Sequence, residues 1–191
     1  DGDVDLEHLK TLLDGDVSVL SVMLVNNESG RIIDLEPIAE LRDRYAPQAL
    51  LHTDAVQAIN WLDIVDVGRR ADMMSFSGHK FGAPKGIGVL AVRNQVALVP
   101  QLLGGGQEAE RRSGTHNTAG IVALGAALQS LEKSRKSEID RLGTLNERLA
   151  CGLVAAIPGC FTTIPQSKRA AGILQIVIED IESEALLVLL E

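Results

Sequence analysis

The sequence predicts an α/β fold, a mostly parallel sheet layered with helices, and three observations carry that expectation. Short apolar runs rich in β-branched residues alternate with stretches of helical spacing. Successive runs end in polar groups: Asn27, then Asp54 with Gln57, then Ser77-Gly78-His79-Lys80. Hydrophobic residues make up 46% and charged residues 23% of the 191, enough apolar material for a packed core.

The elements follow in order. Val4 to Leu13 has helical spacing, with Asp5 as its N-cap. Val17 to Val25 is an almost unbroken apolar run, which reads as a strand buried on both faces. It ends in the loop Asn26-Asn27-Glu28-Ser29-Gly30. Pro37 suits the first turn of a helix running to about Tyr45. Ala49 to Thr53 is a short strand that ends at Asp54, and a third helix-and-strand unit ends in Met73-Met74-Ser75-Phe76-Ser77. A further strand covers Gly86 to Val92.

From Thr118 the pattern is helical to about Ala156, with a break expected near Lys136-Ser137 and a stop at Pro158-Gly159. Strands at Phe161–Ile164 and Ile173–Ile178 and a helix from near Glu182 then read as the opening of a second, smaller α/β domain. The division expected is 1–135 for the larger domain and 136–191 for the connecting helix and the incomplete smaller one.

The formal net charge is −8, and basic patches such as Arg69-Arg70 and Arg111-Arg112 are only pairs. Nucleic acid is therefore not an expected partner, because phosphate contacts need clustered cations. Cys151 and Cys160 form neither a disulfide framework nor a ligand spacing, so both are expected as ordinary buried or semi-buried thiols. No apolar run is long enough to span a bilayer. The expectation is a soluble, cytoplasmic protein without membrane partners. The chain opens on Asp1 and closes on Glu191 inside an apolar helical pattern, so a piece of a longer polypeptide is expected.

In open parallel sheets ligands bind at the carboxyl ends of strands, where Asn27, Asp54, Gln57 and the Ser77–Lys80 turn converge. A lysine in a Gly-rich turn can lose solvation, which lowers an amine's pKa and suits Schiff-base chemistry. A carboxylate at a neighbouring strand end can pair with a protonated pyridine nitrogen. Ser77, His79 and Thr115 offer donors to a phosphate, and Asn27 and Gln57 offer amides. Each also has a plainer reading. Asp54 suits a helix N-cap, Ser77 a turn, His79 a structural hydrogen bond, Arg112 and Thr115 a surface loop. His52, His79 and His116 do not have a metal-site spacing, and Gly82 to Gly88 lacks the Gly-Lys-Ser/Thr ending of a phosphate loop, so no metal is expected.

Four motifs occur in order: Val25-Asn26-Asn27-Glu28, His52-Thr53-Asp54-Ala55-Val56-Gln57, Ser75 through Lys80 to Gly88, and Gly104-Gly105-Gly106-Gln107-Glu108 followed by Arg112-Ser113-Gly114-Thr115. Together they resemble the cysteine desulfurases of the iron–sulfur-assembly type, within the class V aminotransferase superfamily. The resemblance implies a three-layer, fold-type I pyridoxal-phosphate transferase that converts L-cysteine to L-alanine and passes the sulfur to an enzyme persulfide. By the same resemblance Lys80 holds the cofactor and carries the substrate's Cα proton. Asp54 pairs with the pyridine nitrogen, Gln57 bonds the phenolic oxygen and Asn27 sits near it. Ser77 and His79 bind the phosphate. Thr115 reaches the cofactor phosphate of the second subunit of a homodimer, and a sulfur-acceptor or scaffold protein is implied as a further partner.

The family's ring-stacking histidine and a phosphate-binding Gly/Ala-Thr pair belong before Asp1. Its nucleophilic cysteine and carboxylate-clamping arginine belong after Glu191. The resemblance thus implies that this stretch alone does not complete the reaction. The alternatives are a selenocysteine lyase or another class V enzyme, or a truncated, non-catalytic homologue.

Overall fold

The computed structural model describes residues 2–190. Helix α1 (Leu6–Leu12) starts where Asp5 Oδ1 accepts the His8 N–H at 2.9 Å, as the sequence predicts. Strand β1 (Val19–Met23), helix α2 (Leu35–Tyr45), strand β2 (Leu50–Asp54), the short helix α3 (Ile64–Val67) and strand β3 (Met73–Ser77) follow. Asp34 and Asp63 cap α2 and α3 with their carboxylates. A 3₁₀ turn, Gly78–Phe81, leads to strand β4 (Gly88–Val92).

The strands form one sheet in the order β1-β2-β3-β4. The first three are parallel and β4 runs antiparallel to β3, so the sheet is mostly parallel. One expectation needs correcting. Strand β1 is not buried on both faces: Val19 and Ser21 are exposed. Its apolar run lies at an edge of the four-stranded sheet, and among the described residues only β2 pairs with it. The expected span was also too long, because after Met23 the chain leaves the ladder, with Val25 returning only as a bridge to Ile32.

Helix α4 (Thr118–Ala156) runs unbroken for 39 residues. The break expected at Lys136-Ser137 is absent, because polarity does not end a helix without Gly, Pro or a competing cap. The Ser137 hydroxyl bonds back to the Ser134 carbonyl at 2.8 Å, and Arg141 pairs with Glu138 one turn away. The 135/136 boundary falls inside this helix. Strands β5 (Cys160–Thr162) and β6 (Ile176–Ile178) make an antiparallel pair, and helix α5 (Ser183–Leu190) closes the described chain. Among the described residues no helix is long and apolar enough to cross a membrane.

Two buried groups fix the sheet to its helices. Arg42 of α2 donates from Nη1 to the Ala49 carbonyl at 2.8 Å and to Asp72 Oδ2 at 2.7 Å. Asp72 also accepts the Leu51 N–H at 2.9 Å, so the charge pair holds the entries to β2 and β3 together. A second core cluster joins Ile59, Phe81, Ala83 and Leu124, which clamps the 3₁₀ turn between the turn after β2 and helix α4.

Candidate active site

Strand register sets the site. Met23, Asp54 and Ser75 are direct partners across β1, β2 and β3. Residues paired in a parallel ladder point to the same face, and so does Ser77, two positions beyond Ser75. The Asp54 carbonyl accepts the Leu24 N–H at 2.8 Å, and the Ser75 carbonyl accepts the Ala55 N–H at 2.8 Å. These bonds stitch the strands together up to their carboxyl ends, where the polar groups begin.

Asp54 is half-buried and accepts the Val56 N–H through Oδ1 at 2.8 Å. Its carboxylate thereby starts the turn that carries the half-buried Gln57. At the end of β3, Ser77 Oγ lies 2.8 Å from His79 Nδ1, which joins the two proposed phosphate donors directly. Gly78 is buried between them, its N–H donating to the Ile87 carbonyl at 2.9 Å. A Cβ there would meet Ala83 Cβ and Ile87 Cγ2 at 2.9 Å, so glycine is required for the close approach. Gly82, at φ 93°, ends the turn in the left-handed region.

Lys80 is exposed, while Phe81 beside it is buried. The desolvation expected of Lys80 is therefore not supplied by the residues around it here. Its turn is nevertheless anchored, with Phe81 and Ile59 in one buried cluster and the Lys80 carbonyl accepting from Asn60 Nδ2 at 2.7 Å.

Asn27 and Thr115 are not drawn into this cluster by hydrogen bonds. After β1 it is Asn26 that organises the loop, its Oδ1 accepting from Glu28 N at 3.0 Å and Ser29 N at 2.9 Å, with Asn27 exposed at the tip. Thr115 is exposed in a loop whose hydrogen bonds are internal, among them Ser113 N to the Leu102 carbonyl at 3.0 Å and Gly114 N to Gln107 Oε1 at 2.9 Å. A cleft of about 660 Å³ between Arg31, Asp34, Glu36, Arg70 and Lys168 contains none of these residues. The candidate site is an open sheet edge.

Two groups escaped the sequence reading. His52 bridges three strands, with Nδ1 2.8 Å from Ser21 Oγ and Nε2 3.2 Å from Ser75 Oγ. Its place two residues before Asp54, on the same face, was the available signal. Asn60 lies 20 residues from Lys80, and no local pattern connects them. Of the cysteines, Cys160 is buried as expected, but Cys151 is exposed on α4. It donates to Glu147 Oε1 at 3.5 Å, and that bond, with the carboxylate's charge, pushes the thiol's pKa up.

The family model for class-V aminotransferases matches residues 1–191. The chain belongs to that family. Its class-V relatives include the cysteine desulfurase NifS of Azotobacter vinelandii, 40% identical over 99% of this chain and 46% of that protein. The cysteine desulfurase IscS of Clostridium botulinum is 38% identical over 98% of this chain and 47% of its own length. This class-V chain thus spans about half the length of the curated relatives it matches. Among solved structures, a NifS-like protein superposes with a TM-score of 0.91 at 33% identity, covering 99% of this chain and 51% of that one. DndA from Streptomyces lividans gives 0.84 at 33% identity over 99% of this chain and 53% of its own. A structure of SspA in complex with cysteine gives 0.60 at 36% identity over 67% of this chain and 37% of its own. The fold-type I, α/β assignment follows from these superpositions.

Proposed function

We propose that this chain is the cofactor-binding part of a pyridoxal-phosphate-dependent cysteine desulfurase. The observation that carries the reading is the grouping of Asp54, Ser77-His79 and the Lys80 turn at the carboxyl edge of the parallel strands. Relatives named cysteine desulfurase at 37–40% identity, and a neighbour solved with cysteine, support the substrate class.

The donor set fits the cofactor. A half-buried carboxylate suits a cationic pyridine nitrogen, a joined hydroxyl and imidazole suit a phosphate, and a primary amine stands on the intervening turn. When bound, pyridoxal phosphate supplies an electron sink for a substrate's Cα. Asp54 would pair with the ring nitrogen and favour its protonated form. Lys80 would hold the cofactor through its amine and would carry the proton of the substrate's Cα. Gln57 orients the ring through its phenolic oxygen, and Asn27 stands by the same oxygen. Ser77 and His79 hold the phosphate, joined by Thr115 from the partner of a homodimer.

Sulfur leaves L-cysteine for a thiol, with L-alanine as the other product. Cys151 is a poor acceptor because Glu147 favours its protonated form, and Cys160 is poor because it is buried. We assign that thiol to neither.

Borohydride reduction of the complete polypeptide, purified with pyridoxal phosphate, tests this reading. A cofactor-sized mass fixed on the Lys80 peptide, with L-cysteine converted to L-alanine and both lost in Lys80→Ala, is expected. Labelling at another lysine, or none, refutes the assignment. Turnover of selenocysteine but not cysteine would move the protein to the selenocysteine lyases.

A further inference from the structure

We propose that Asn60 is a positioning residue for Lys80, holding the backbone of the lysine turn against the turn that begins at Asp54. The inference rests on the reading of Lys80 as the cofactor lysine.

In a 3₁₀ turn the Lys80 carbonyl oxygen would accept from the N–H three residues on, which is Ala83. Ala83 N instead donates to the Gly78 carbonyl at 3.0 Å, and the Gly82 N–H goes to the same oxygen. The α-helical alternative fails as well, because the residue four positions on is Pro84, which has no N–H. The turn therefore leaves the lysine's own carbonyl without a local partner. Asn60 Nδ2 supplies one at 2.7 Å.

The position of Asn60 gives this bond its consequence. It lies in the tight run that follows Asp54, whose shape is set by the Val56 N–H on Asp54 Oδ1, the Ala58 and Ile59 N–H groups on the Ala55 carbonyl, and the Trp61 and Leu62 N–H groups on the Ala58 carbonyl. Ile59, next to Asn60, is fully buried against Phe81, next to Lys80. Two consecutive residues of one turn thus grip two consecutive residues of the other, one pair by packing and one by a hydrogen bond. The backbone that carries Lys80 is thereby tied to the turn that follows Asp54. The exposed lysine side chain has no comparable restraint of its own.

An amide is needed for this role. Asn60→Asp keeps the shape but places a carboxylate without a donor against a carbonyl, and Asn60→Ala removes the group. Both variants of the complete holoprotein are compared with wild type by the rate of cofactor release, the pH midpoint of the bound cofactor's visible absorbance change, and the melting temperature. Loss of one such bond predicts release faster by about fivefold and a moved absorbance midpoint in both. Asn60→Gln, with the donor on a longer stem, recovers part of the loss. If Asn60→Ala does not fold, the near-isosteric Asn60→Asp decides. Unchanged release and midpoint with only a lower melting temperature would show Asn60 to be merely structural and overturn the proposal. Absence of labelling at Lys80 in wild type would instead refute the functional reading beneath it.

Discussion

Asp54 and Ser75 stand directly opposite each other on β2 and β3, so the carboxylate and the hydroxyl leave the same face of the sheet. Ser77 continues that row, and the Lys80 turn begins one residue later. The carboxylate and the hydroxyls are thus placed by strand register before any side-chain contact is made.

Asp54 separates its two roles by substitution. Asn in its place still accepts the Val56 N–H, now made at 2.8 Å, but carries no charge. Asp54→Asn is expected to lower L-alanine formation by about two orders of magnitude, the range for a lost electrostatic partner, with little change in melting temperature. Asp54→Ala loses the turn bond as well, an added cost of about 1 kcal/mol. Equal activity of Asp54→Asn and wild type would remove Asp54 from the mechanism.

His52 is expected to matter for stability. Phenylalanine there strips Ser21 and Ser75 of their common partner, at a cost of about 0.5–1.5 kcal/mol. Urea unfolding of His52→Phe against wild type measures it.

Gly78 tolerates no side chain. Gly78→Ala forces Cβ to within 2.9 Å of Ala83 and Ile87, and overpacking of this kind costs about 1–3 kcal/mol. Because the strain falls on the lysine turn, cofactor retention should weaken together with the melting temperature.

Cys151 gives a pH prediction. The Glu147 carboxylate accepts its S–H and disfavours the thiolate, so the thiol ionises at higher pH than a free cysteine. Glu147→Gln removes the anion, and the midpoint of the iodoacetamide rate profile should move to lower pH. Buried Cys160 should react only on unfolding.

Much of the fold was legible in the sequence because its signals are local. Asp5 before a helical pattern, Pro37 in a first turn and apolar runs ending at Asp54 and Ser77 each depend on neighbours a few residues away. What the sequence did not reveal depends on contacts between distant segments. The apolar run at Val19 says nothing of what covers it, and the strand lies at an edge. Cys151 sits among apolar neighbours in sequence, yet helix rotation turns it outward. At the site, the residue types at the strand ends were readable from their motifs. Asn60 was not, since its bond to Lys80 crosses between two turns and only Pro84 hints that the lysine's carbonyl needs help.

The central claim is a geometry, and a crystal structure of the complete polypeptide with pyridoxal phosphate tests it most directly. Density continuous from Lys80 Nζ into the cofactor is expected, with an Asp54 oxygen at hydrogen-bond distance, about 2.7–3.0 Å, from the ring nitrogen. A cofactor bonded to a different lysine, or a ring nitrogen facing away from Asp54, would contradict it.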